Sequence, residues 1–190
     1  MSEVDIEGQI GARIRALRTE RSLTLEGLAE RAAVSRAMLS RIERGESSPT
    51  AQLLGKVCAG LGVTLSVLFA TAEPAPNPIR RRTAQPMWRD PASGYVRRNI
   101  APDGTGSPVD ISEIELPPGA RIAFDPLRLK NADQHIWVLD GSLELTIGGE
   151  SHRLEAGDCI HMRFDLPVTF HNPTRCPVRY AVVISYGGAG

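Results

Sequence analysis

Up to Phe69 the apolar positions recur three and four residues apart, and beyond Pro86 they recur at every second residue. The chain therefore reads as a helical half followed by a strand half. Ile10, Ile14 and Leu17 share one helical face, with Arg13, Arg15, Arg18 and Arg21 around the remainder. Thr24 is an N-cap residue, and Leu25, Leu28, Ala29 and Ala32 follow it at the spacing of one buried stripe. Ser35 caps a third helix with Leu39 and Ile42 inward and Arg36, Ala37, Ser40, Arg41 and Arg44 on its polar edge. Pro49 and Thr50 open a fourth, whose face is Leu53, Leu54, Val57, Cys58 and Leu61. Gly60 and Gly62 close it, and Thr64 caps a short fifth ending near Phe69. Five such helices over residues 1–70 make a small bundle, and residues 1–7 are polar and expected to be loose.

The stretch 71–88 changes character. TAEPAPNPIRRRT has proline spacing and no apolar period, so it reads as a stiff linker. Its Arg80–Arg82 run is either a solvated charge cluster or an added phosphate contact. Over 89–190 the pattern is that of short strands: Leu143, Leu145 and Ile147 alternate, as do Val168 and Phe170, and Tyr180–Ile184 is continuous. Turns are expected at Pro117-Pro118-Gly119, Asp140-Gly141, Gly148-Gly149 and Ala156-Gly157-Asp158. The fold class is α+β multidomain, with helices segregated from an all-β sandwich or barrel.

Charge alters this picture only locally. The 190 residues balance to zero, yet residues 8–60 hold nine Lys/Arg against five Asp/Glu, whereas 71–190 hold thirteen against fourteen. The helical half is the electropositive one, as phosphate contact requires. Cys58, Cys159 and Cys176 fit neither a metal cluster nor a paired disulfide set. No secretory leader and no long apolar run is read, so a cytoplasmic protein without membrane contact is expected.

With cap, turn, apolar spacing and the next helix start in place, Val34 to Thr50 (VSRAMLSRIERGESSPT) resembles the Xre/Cro-type helix-turn-helix repressors. That likeness implies a lambda-repressor-like bundle whose third helix enters the major groove of double-stranded DNA. Arg36 and Arg41 are then expected to read bases, each able to grip a guanine with two hydrogen bonds. Thr24, Ser35, Ser40, Arg44 and Thr50 suit phosphates, and Ala37 lies on the same edge. Ala33 stands where the family often has glycine, which implies a cost if its φ is positive.

In the second half, WVLDGSLELTIGGESHRLEAGD and the later DLPVTFHNPT resemble the jelly-roll domains called cupins, over roughly 109–185, through Gly141, Gly149, Gly157, Asp158, Pro167 and Asn172. Many cupins hold a divalent metal with three histidines and a glutamate. The matched positions here are Arg128, Lys130, Gln134 and Val168, so the resemblance implies a metal-free, cofactor-free domain. Of the histidines present, His135 is expected on the face opposite Gln134, His161 and His171 are not expected to meet it, and His152, His161 and His171 are read as surface or hydrogen-bonded residues. The same likeness turns Phe124, Gln134, Ile136, Val138, Met162, Val168 and Phe170 toward a pocket suited to a small, partly apolar ligand. Arg128 and Lys130 face that pocket on one register and would pair with an anion there. On the register shifted by one, Leu127 and Leu129 face inward instead. A filled core that serves only to dimerise is the other possibility for this domain.

The architecture as a whole resembles bacterial regulators that join an Xre-type head to a cupin sensor and dimerisation domain. It implies a sequence-specific transcriptional regulator, a homodimer reading two half-sites, and a small-molecule effector of unspecified identity. The alternative is a metal-dependent cupin oxygenase or epoxidase with a vestigial head, which would need the ligand set that the matched positions lack.

Overall fold

The structure, a computed structural model, describes residues 6–70, 77–127, 129 and 132–187, with the backbone alone for 6 and 7. The helical half comprises α1 (Ile6–Glu20), α2 (Leu25–Arg31), α3 (Arg36–Glu43), α4 (Ala51–Leu61) and α5 (Leu65–Phe69). Side-chain oxygens of Thr24, Ser35, Thr50 and Thr64 each accept a backbone N–H three residues on, so four of the helices begin on a hydroxyl cap. The ends are equally explicit. After α1, α2, α3 and α4 the chain turns through a left-handed residue, at Ser22, Ala33, Gly45 and Gly62, with φ between 50° and 69°. In α2 the Ala33 N–H returns to Glu30 O and the Val34 N–H to Ala29 O, a Schellman closure that sets the sharp turn into α3. Gly11 lets α1 meet α3 directly: a Cβ there would lie 2.2 Å from Ile42 O. Across the same contact Arg18 forks onto Glu43 at 2.6 and 2.8 Å.

The second half folds into two antiparallel sheets. Strands β1 (Met87–Arg89), β2 (Val96–Asn99), β3 (Val109–Leu116), β10 (Val178–Tyr186), β5 (Ala132–Asp140) and β8 (Cys159–Arg163) pair in that order. Strands β4 (Arg121–Phe124), β9 (Val168–His171), β6 (Ser142–Ile147) and β7 (Glu150–Glu155) form the other sheet. Ile114, Leu116, Ile136, Val138, Leu143, Leu145, Val178 and Tyr180 fill the space between them. Strand alternation explains the choice: on β5, Gln134, Ile136 and Val138 point inward while His135 and Trp137 point out. Asn172, fully buried, donates to Leu116 O and Cys176 O and so fastens the turn that follows β9.

Two expectations change. Arg80 is neither a solvated charge nor a free phosphate contact: its side chain is 4 % exposed and donates to Asp103 at 2.6 Å and to Ala101 O at 2.8 Å. It fastens the chain to the β half before β1 begins at Met87, inside the stretch that reads as linker. Further, His135 and His161 do meet, because the β5–β8 register sets them directly opposite with ring centroids 5.0 Å apart.

The two halves share a buried seam. From the β half, Asp90 accepts the Ala51 N–H at 3.0 Å and so caps α4 a second time. Tyr186 pairs its hydroxyl with Thr64 at 2.6 Å, Arg97 donates to Ser66 at 2.7 Å, and Asn99 donates to Phe69 O at 3.2 Å. Phe69 packs on Trp88, which meets Tyr95 edge-on.

Candidate nucleic-acid interface and ligand cavity

The polar edge of α3 is open to solvent. Leu39 and Ile42 anchor the helix in the bundle, which turns Arg36, Ala37 and Arg41 to water. Arg36 keeps only a loose pair with Glu26 at 3.6 Å, its side chain 68 % exposed. Arg41 makes no hydrogen bond or ion pair among the described residues, so its five N–H donors are available. Arg44 is committed locally: it forks onto Glu46 at 2.7 Å through two nitrogens and also donates to Ser40 Oγ. That pairing raises the Arg44 pKa and lowers that of Glu46.

Thr24 and Ser35 accept the Gly27 and Met38 N–H groups, which leaves each hydroxyl hydrogen free to donate outward. Thr50 caps α4 in the same way and shares a surface groove with Ser35, Met38, Gln52 and Lys56. All eight residues expected at DNA therefore lie on the solvent side of α2, α3 and the start of α4. Lys56, which the sequence reading does not name, stands in the same groove. A lone lysine among the apolar positions of the fourth helix is the signal that points to it.

The second site is a cavity of about 90 Å³ where the head covers one end of the barrel. Its roof is Gly55 and Cys58 of α4 with Thr64 and Leu65, and its walls include Phe124, Gln134, Val168 and Phe170 of the β half. Ile136 and Met162 are buried in the barrel core but do not line it, and neither does Val138. Arg128 and Lys130 lie outside the described residues, while Leu127 lines the cavity mouth with Asp125 and Arg163. Tyr95, Arg97, Tyr180 and Val182 also line it, with Phe164, Leu166 and Ile184. Arg97 escapes a sequence reading because its strand, VRRN, has neither alternation nor a motif.

The cavity is electrostatically unusual. Burial pushes the Cys58 thiol up to about 12 and raises Tyr95, Tyr180 and Tyr186 above the ordinary phenol value, so all four are neutral at pH 7. The donor set of the described lining does not suit a divalent metal: it holds one carboxylate, Asp125, a thiol at Cys58 kept protonated by burial, an amide at Gln134 and a guanidinium at Arg97, with no histidine. Among the described residues no three His, Cys, Asp or Glu side chains gather in metal-binding proximity, and no helix is long and apolar enough to cross a membrane.

Comparison with known proteins agrees with this arrangement. A helix-turn-helix family matches residues 14–68 and a cupin domain family matches 112–184. The HTH-type transcriptional regulator SutR of Escherichia coli K12 is 30 % identical over 174 residues, spanning 91 % of this chain and 92 % of its own. PuuR, another HTH-type transcriptional regulator of that organism, is 26 % identical over 166 residues, or 85 % and 86 % of the two chains. Among solved structures, a helix-turn-helix family transcriptional regulator from Vibrio cholerae superposes with a TM-score of 0.77 at 26 % identity, covering 97 % of this chain and all of the other.

Proposed function

Because this chain belongs to the helix-turn-helix transcriptional regulators that carry a cupin domain, we propose that it reads its operator as a homodimer and that a small molecule in the cavity under the head governs that reading. DNA binding follows from the family, and the proposed setting of that work is the cytoplasm. What carries the rest is the seam: the walls of one cavity come from both the DNA-reading head and the β barrel. A ligand held there touches the head directly and needs no relay through the barrel.

Arg36 and Arg41 read bases in the major groove, with Ala37 in contact range of a thymine methyl. Thr24, Ser35, Ser40, Arg44, Thr50 and Lys56 hold phosphates. One head covers too little DNA for a specific site, so two heads bind half-sites about one helical turn (~34–36 Å) apart. The outward face of the six-stranded sheet, where Trp137 is 49 % exposed, supplies the contact between the two copies.

The test is a gel-shift series with Arg41→Ala against operators changed at each base pair. Loss of about 1–3 kcal/mol with relaxed preference at one position per half-site is expected. An unchanged sequence preference would refute the assignment of base reading to Arg41.

A further inference from the structure

Arg97 is a buried cation, at 4 % exposure in the middle of β2. Its Nη2 donates to Ser66 Oγ and Ser112 Oγ, both at 2.7 Å, and its guanidinium carbon stands 5.9 Å from the Phe69 ring centroid. Its Nε is buried with no partner. Among the described residues no carboxylate forms an ion pair with it. A buried cation without a counter-charge costs several kcal/mol, and three neutral hydroxyls, those of Ser66, Ser112 and Tyr95, with one ring face offset only part of that. The charge is not supplied by the neighbours, since the phenols and the thiol around it are held in their neutral forms. Yet Arg97 faces a cavity, not a packed wall.

We propose that this cavity binds a small monocarboxylate, whose charge pairs with Arg97 and whose short apolar body lies against Phe124, Val168 and Phe170 beneath α4. The proposal rests on the reading of the chain as an effector-responsive regulator and names the chemistry of that effector. The volume limits the ligand to a few carbon atoms, because an apolar cavity of ~150 Å³ is what benzene requires. A dicarboxylate is disfavoured: among the described lining residues the Asp125 carboxylate repels a second negative charge, and the one cation besides Arg97, Arg163, is already paired with Asp165 at 3.9 Å. Tyr95 and Gln134 line the same space and supply further donors to the carboxylate oxygens. The anion also acts as a bolt. It touches Arg97 of the barrel, which already holds Ser66 of α5, and it lies under Gly55 and Cys58 of α4. Occupancy therefore stabilises the docked position of the head over any position in which the seam is open.

Thermal melts and isothermal titration on the full chain test this with sodium acetate, propionate and butyrate, each paired with its alcohol and its amine. The expected result is that one or more carboxylates raise the melting temperature with concentration while the alcohols and amines do not. Arg97→Lys keeps the charge but not the fork and is expected to weaken the carboxylate response at least about tenfold. Should Arg97→Lys fail to fold, Val168→Phe fills the cavity without touching the cation and is expected to abolish the response. Carboxylates that do not bind the wild-type chain, or that bind both variants equally well, overturn the proposal. Gel shifts on the same samples report the underlying reading separately. An alcohol or amine that alters operator affinity while carboxylates do not leaves the regulator responsive and the carboxylate chemistry wrong.

Discussion

Arg41 and Arg97 carry the same guanidinium into opposite surroundings. On α3 the charge sits in water, unpaired and cheap to hold, and becomes useful only when a phosphate-lined groove arrives. On β2 it is sealed between α5 and the barrel, where any unbalanced charge weighs heavily on the fold. On the proposed reading the two faces of this head divide the work: the α2–α3 face serves binding and adds little to stability, and the α4–α5 face does the reverse. Measurements that separate folding from operator affinity decide whether that division holds.

The largest expected effect lies on the seam side and appears in alkali. Cys58 has its thiol pushed from the ordinary value of 9.0 up to about 12, with burial as the main cause. The unfolded chain ionises this thiol first, so its contribution to stability is complete below pH 9 and is lost as pH rises toward 12. The slope is about 1.4 kcal/mol per pH unit and the total at most about 4 kcal/mol. The raised phenols of Tyr95, Tyr180 and Tyr186 have the same sign and add to the loss above pH 10. Urea unfolding between pH 8 and about pH 11 is expected to show this fall, and Cys58→Ala to flatten part of it. A flat profile in the wild-type chain would mean the seam is open to water.

Next in size is Asp90→Ala. The carboxylate is 3 % exposed and accepts from Ala51 N and Ser93 N, both at 3.0 Å, and from Ser93 Oγ, so its removal strands the buried Ala51 donor and unpairs two half-buried donors of Ser93. A loss of about 2–3 kcal/mol is expected from chemical unfolding. Thr50→Ala, which removes the local cap of the same helix, is expected to cost about 1 kcal/mol. If Asp90→Ala costs no more than Thr50→Ala, the head is held by its own helices and not by the barrel.

Arg36→Ala and Arg41→Ala give the complementary result. Each is expected to change folding stability by less than about 0.5 kcal/mol, since neither side chain is buried. Operator affinity is expected to fall by about 1–3 kcal/mol for either. Arg44→Ala is expected to act differently, lowering affinity across all sequences, because Arg44 spends its fork on Glu46 and holds Ser40 in place.

What could be read from the chain alone follows the same division. The five helices, their caps and the basic edge of α3 are local: each rests on residues within two turns of one another, where period and cap chemistry are visible. The jelly roll was legible through its turns, Asp140-Gly141 and Gly148-Gly149 above all, because hairpin geometry is also local. The seam was not. Arg97 meets Ser66 across 31 residues, Ala51 meets Asp90 across 39, and Thr64 meets Tyr186 across 122. No spacing rule links such pairs. Gly55 shows how the trace looks in hindsight: a glycine inside a helix lowers helix propensity, and here a Cβ would stand 2.7 Å from Phe124 Cδ1. The histidine pair at 135 and 161 was missed for the same reason, since strand register is set by the sheet and not by either strand.

The smallest expected effect sharpens the comparison most finely, because it concerns strain on the DNA side. Ala33 closes α2 at φ 50°, where Gly45 and Gly62 close their helices at 68° and 69°. A left-handed alanine costs roughly 1–2 kcal/mol, and the extra freedom of glycine in the unfolded chain returns about half of that. Ala33 is exposed, so its methyl buries nothing that would be lost. Ala33→Gly is therefore expected to stabilise the protein by up to about 1 kcal/mol, a rise of about 2–4 °C in melting temperature. Operator affinity should stay level, because the turn sets the angle between α2 and α3 and glycine takes the same φ without strain. A variant that melts higher but binds less tightly would show that the turn gains its precision from the alanine. In that case the DNA face, like the seam, would be holding its geometry at the expense of stability.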